Sequence, residues 1–213
     1  MVDAAARAMN AMDITGLIAL AAALGWASGL RLYLAVFLTG LAGSMGWIVL
    51  PAGLHVLQHP LVLGASGFML FVEFFADKIP GLDSLWNITH SVIGIPAGAA
   101  LAAGVFGADN TTMAIVAGLL GGSLAATSAA TRVTTRAAIN TSPEPITNLG
   151  ASFLEEGFVV GGLWLATHHP AAFAVVLTIT LVVMIWLLVT TWRYLKILRV
   201  RVSAFFRGES GFP

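Results

Sequence analysis

The chain has 213 residues, 58% of them hydrophobic and only 9% charged, with ten Lys plus Arg balanced by ten Asp plus Glu. Soluble domains carry about 25% charged residues, so a water-exposed surface is excluded and lipid must cover this one. The balanced charge and the lack of a basic patch interleaved with aromatics argue against a nucleic-acid partner; the absence of cysteine excludes disulfides, thiolate metal sites and cysteine nucleophiles.

At the N-terminus Arg7 precedes an apolar run that continues past signal-peptide length, and Trp26 stands where cleavage would want small residues. The segment is therefore expected to remain in the mature chain. Residues 14–29 are apolar but short, and Arg31 separates them from the first clear span. Either they cross, giving seven spans, or they form a re-entrant or interfacial helix. Arg7, which prefers the inner side, and the natural break at Gly25, Ser28 and Gly29 favour the second reading.

Crossing a hydrocarbon core of about 30 Å takes about 20 helical residues. Six stretches qualify, near 30–49, 60–77, 87–105, 111–136, 146–167 and 170–192, so the expected fold is an all-α polytopic transmembrane helix bundle forming a single domain with a basic tail over 193–213. The connections carry breakers: Pro51 and Gly53, Pro60, Pro80-Gly81, the run from Gly107 to Asn110, the run from Asn140 to Pro145, and His169-Pro170. Ser142, Pro143 and Glu144 read as a helix start. The C-terminal tail holds Arg193, Lys196, Arg199, Arg201 and Arg207, so the positive-inside rule places it in the cytoplasm. Counting back, Lys78, Arg132 and Arg136 fall at inner ends, while the three outer connections contain no Lys or Arg. Trp47 and Trp164 then lie at the outer interface, and Trp86, Trp192 and Tyr194 at the inner one. A faint repeat relates Gly53-Leu54 and His59-Pro60 to Gly162-Leu163 and His169-Pro170.

The chemistry lies in ionisable groups within apolar segments. A charge at the centre of a span costs roughly 2.5–3.5 kcal/mol, so such groups face a protein interior or a wet cavity. Glu155 and Glu156 lie about 14 Å into the fifth span at 1.5 Å per residue, and adjacent carboxylates at that depth require a proton or a cation. Glu73 and Asp77 share a helix face at the inner end of the second span, with Lys78 and Asp83 close by; Asn87 and His90 share a face on the next helix. In the fourth span Ser128, Arg132 and Arg136 recur every four residues, a stripe suited to an anion or a carboxylate partner. Pro96 inside the third span suggests a broken helix. GxxxG spacings at Gly94–Gly98, Gly118–Gly122 and Gly157–Gly161 suit close packing between helices or between copies of the chain. His55, His59, His168 and His169 fall at outer ends and read as interfacial polar residues.

Three words, the one running from Ser28 to Leu34, the one from Glu73 to Trp86, and Ala137-Ala138-Ile139-Asn140-Thr141-Ser142-Pro143-Glu144-Pro145, resemble a bacterial membrane family known only as domain of unknown function 4126. That resemblance spans nearly the whole chain. It implies a class rather than an activity, and it groups Arg31, Glu73, Asp77, Asp83, Arg132, Arg136 and Glu144.

The leading expectation is a transporter or channel of a bacterial inner membrane, carrying a small ion, a small solute or a lipid headgroup. Arg31, Glu73, Asp77, Asp83, His90, Arg132, Arg136, Glu144, Glu155 and Glu156 would line or gate the path, with protonation of Glu155 or Glu156 as the coupling step. Membrane lipids are the expected partners, and the basic tail suits anionic headgroups. A rival reading is an intramembrane lipid-modifying enzyme with Asp77 and Asp83 holding Mg²⁺, although Asp-x5-Asp is no metal signature and neither an HExxH pair nor a phosphate-binding Gly-rich loop is present. A non-catalytic scaffold subunit is the third. No cofactor is expected.

Overall fold

The computed structural model describes residues 12–76, 82–107, 110–139 and 145–206. Among them every regular element is helical: α1 (Ile14–Ser44), a 3-10 helix (Ala52–Gln58), α2 (Pro60–Ala76), α3 (Leu82–Phe106), α4 (Thr111–Ile139), α5 (Pro145–His168) and α6 (Pro170–Phe206). By length and composition five helices, α1 among them, could cross a membrane, and a sixth span is obtained if the 3-10 helix and α2, bent by 65°, are one. The chain is thus a polytopic helical bundle, as its composition required.

α1 departs most from expectation. Asp13 caps its start, the carboxylate accepting from Gly16 N–H at 2.7 Å. Its end is a Schellman turn: Gly46 takes φ 72, its N–H reaches Gly43 O at 3.1 Å, and Trp47 N–H reaches Ala42 O at 2.9 Å. The helix therefore stops at Ser44, short of the expected 49, because glycine ends it while the apolar run of Trp47, Ile48 and Val49 continues. Within α1 a single residue, Arg31, leaves helical conformation, with φ −145 and ψ 78.

A straight helix of this length would set its ends about 46 Å apart. Instead both ends reach the connection that follows it. Met12, Ile14 and Leu17 share a cavity with Val49 to Gly53, and Gly43 packs on Leu50 and Gln58. The intermediate contacts trace the same path. Gly25 meets Gly121, and Gly29 meets Ala125 and Ser128; beyond Arg31, Phe37 meets Gly67 and Gly40 meets Leu57 and Leu63. α1 is therefore a re-entrant hairpin, descending over 14–30 beside α4, breaking at Arg31, and rising over 32–44 beside α2. Residues 14–29 are its first limb, packed among the other helices, and the stretch expected as a span at 30–49 is its second limb.

The break also lies elsewhere than Gly25, Ser28 and Gly29 suggested. These residues stay helical and allow contact: a β-carbon at Gly25 would lie 2.5 Å from Gly121 Cα, and one at Gly98 would lie 2.8 Å from Ala125 Cβ. α1 is thereby enclosed by α3, α4 and α5 and supplies half of the apolar core, with Leu20, Ala23, Leu24 and Ala27 fully buried. Of the GxxxG pairs, Gly94 and Gly98 serve this packing, Gly118 and Gly122 face α3, and Gly157 and Gly161 have nothing within 4 Å. α3 runs through Pro96 as one helix, so the expected break there is absent.

Candidate functional site

The hairpin carries Arg31 to the depth at which α2, α3, α4 and α5 present their polar residues. Breaking a helix frees backbone groups that lipid cannot satisfy; here side chains take them. The Arg132 guanidinium donates to Leu30 O, Leu32 N–H donates to His90 Nε2 at 3.3 Å, and Ser128 Oγ donates to Trp26 O at 2.8 Å. Tyr33 packs edge-on to the His90 imidazole, ring centroids 5.0 Å apart.

Around this break three guanidiniums converge on two carboxylates. Glu73 Oε1 lies 3.3 Å from Arg31 Nη1 and 3.1 Å from Arg132 Nη2. Glu155 Oε2 lies 3.2 Å from Arg31 Nε, 3.4 Å from Arg132 Nε and 3.1 Å from Arg136 Nη2. Arg136 also donates from Nε to Glu155 Oε1 at 3.2 Å and from Nη2 to Ser152 Oγ at 2.9 Å. The helical register explains the convergence. Ser128, Arg132 and Arg136 recur every four residues and so share the buried face of α4, while Ser152 and Glu155, three apart, share a face of α5.

The two carboxylates differ in access. The side chains of Arg31 and Glu73 are wholly enclosed, whereas that of Glu155 is 15% exposed while touching all three arginines. Glu155 is thus both the hub of the network and the member reachable from outside it. It sits ten residues beyond the start of α5, about 15 Å at helical rise.

Of the residues singled out from sequence, the structure brings together Arg31, Glu73, His90, Arg132, Arg136 and Glu155. Glu156 is half-buried and has a partner of its own. Asp77 and Glu144 lie outside the described residues, as does the side chain of Asp83. Ser152 and Tyr33 were not anticipated; Ser152 could have been found from its i, i+3 spacing to Glu155. The histidines expected at outer ends serve local structure: His55 Nε2 lies 2.9 Å from Leu50 O, His59 Nδ1 accepts from Leu61 N–H at 3.2 Å, and His168 stacks on Trp164. Among the described residues no three His, Asp or Glu side chains gather as metal ligands.

The family model described as a domain of unknown function, DUF4126, matches residues 18–190. No curated protein and no solved structure matches the chain.

Proposed function

The chain belongs to the DUF4126 family of domains of unknown function, and we propose that it is a membrane transporter for a small acidic solute, with the network at Arg31 as its central site. The observation that carries this reading is the enclosure of three arginines and two glutamates around a re-entrant helix break. Each charge at membrane depth costs a few kcal/mol, and apolar residues in place of a buried ion pair are often neutral or stabilising. Packing alone is therefore a poor reason to place five such groups here. A site that must exchange one anion for another is a better one.

Glu155 is the exchangeable anion. A proton on its carboxylate weakens three ion pairs at once and leaves the guanidiniums to an incoming carboxylate or phosphate, whose paired oxygens suit bidentate contact with a planar guanidinium. Proton and anion enter together, so the charge of the site does not change. Glu73 stays in place and holds Arg31 and Arg132 meanwhile. The hairpin, joined to the bundle at its tip through Arg132 and His90, is the element whose tilt would expose the site to one side or the other. We read it as a protein of a bacterial inner membrane with its tail in the cytoplasm; the cations of the tail support that reading through the positive-inside rule.

The test is reconstitution into liposomes loaded with a pH-sensitive dye and given an external acid step, with inorganic phosphate, succinate or chloride added outside in turn. The reading expects acidification above that of empty liposomes, accelerated by phosphate or succinate but not by chloride, abolished by Glu155→Gln and retained by Glu156→Gln. Flux equal to empty liposomes with every anion would overturn it.

A further inference from the structure

A second site lies on the lipid-facing flank of α4. A cavity of about 700 Å³ opens between α3, α4 and α6, within the range of ligand pockets, roughly 300–1,000 Å³. It exists because α4 offers Ala126, Ala129 and Ala130 where larger side chains would close the gap.

Its lining changes character in one direction on all three helices. Toward the tail end, Ile95 gives way to Ser91 on α3, Ala126 to Thr134 on α4, and Leu188 to Arg193 on α6. Trp192, 67% exposed, stands beside Arg193 at that end, where an indole suits the headgroup level. Arg193 and, one turn further, Lys196 are exposed and have no ion-pair partner among the described residues. An apolar slot that ends in exposed cations at an interface is complementary to an amphiphile with an anionic head.

We propose that this groove is a binding site for one anionic phospholipid of the leaflet on the tail side, its acyl chain against Ala126 and Ala130 and its phosphate on Arg193 and Lys196. The site is separate from the Glu155 network: Ala129 and Ser128 are neighbours on α4, yet Ala129 lines the groove while Ser128 faces α1. Lipid in the groove therefore packs against the back of the helix that carries Arg132 and Arg136. The proposal does not depend on the transport reading.

The experiment is native mass spectrometry of the full chain, titrated with phosphatidylglycerol or phosphatidylcholine of identical acyl chains. The site predicts one tight phosphatidylglycerol adduct, and weaker retention of phosphatidylcholine. Arg193→Gln should reduce the preference about fivefold, the worth of one basic group near a membrane surface. Ala130→Phe, which fills the slot, should weaken the tight adduct while circular dichroism stays helical; Arg201→Gln, on the tail beyond the groove, should change little. Equal retention of the two lipids overturns the proposal. So does a loss in Arg201→Gln as large as in Arg193→Gln, which would assign the attraction to the tail as a whole.

Discussion

α1 and α6 are both long, apolar helices, yet 78% of the apolar window of α1 is buried and only 11% of that of α6. α6 leaves its apolar stretch uncovered by protein, with Val176, Ile179, Val182, Val183 and Trp186 exposed. Lipid tolerates any apolar shape, so α6 needs only hydrophobicity. α1 meets protein along most of its apolar stretch, and protein is particular. Its glycines set the distance to α4, and its one non-helical residue is acceptable because Arg132 and His90 take the freed backbone groups. The difference teaches that in this fold hydrophobicity decides which segments enter the membrane, while contact with other helices decides which of them can carry charge.

Substitutions should separate the two helices by size of effect. The largest is expected from Glu73→Gln, which leaves Arg31 and Arg132 short of a fully enclosed partner; a loss of about 3–5 kcal/mol is expected, read by denaturant titration in mixed micelles. Adding Arg31→Leu to Glu73→Leu should cost less than the two single changes summed, since the pair is then removed together; strict additivity would mean that the two side chains do not depend on each other. Glu155→Gln should follow at about 1.5–3 kcal/mol, the worth of hydrogen bonds to a charged group, while eliminating anion-stimulated proton flux. A stability loss equal to that of Glu73→Gln would erase the distinction drawn between the two carboxylates.

Gly29→Ala places a β-carbon against Ala125 O and Ser128 Oγ and should cost about 1–3 kcal/mol by overpacking. The matching change on α6, Val182→Ala at a side chain 64% exposed, should fall within about 0.5 kcal/mol. Were the two glycine and valine changes to match, the contrast between a protein-facing and a lipid-facing helix would be lost.

Much of this was legible beforehand. α2 to α6 follow the apolar stretches near 60–77, 87–105, 111–136, 146–167 and 170–192, and five of the charged residues flagged as misplaced in apolar segments, with His90, form the site. The spacing of Ser128, Arg132 and Arg136 announced one buried face, because a helix repeats every 3.6 residues. The break was misjudged because Gly25 and Gly29 serve either to end a helix or to let another approach, and only the position of Gly121 and Ala125 tells which. Pro96 was misjudged for a similar reason: a membrane helix can continue through proline when its surroundings re-satisfy the freed carbonyl.

Composition and periodicity by themselves determined that the chain lies in lipid, where its helices run, and which ionisable groups would be costly there, because these depend on transfer energies and helical repeat, both local quantities. Which carboxylate meets which arginine, and that α1 doubles back at Arg31, only the tertiary structure decided. Arg31 and Glu73 are 42 positions apart and Arg31 and Glu155 are 124 apart; such pairs are set by how helices pack in three dimensions, and no local rule carries that information.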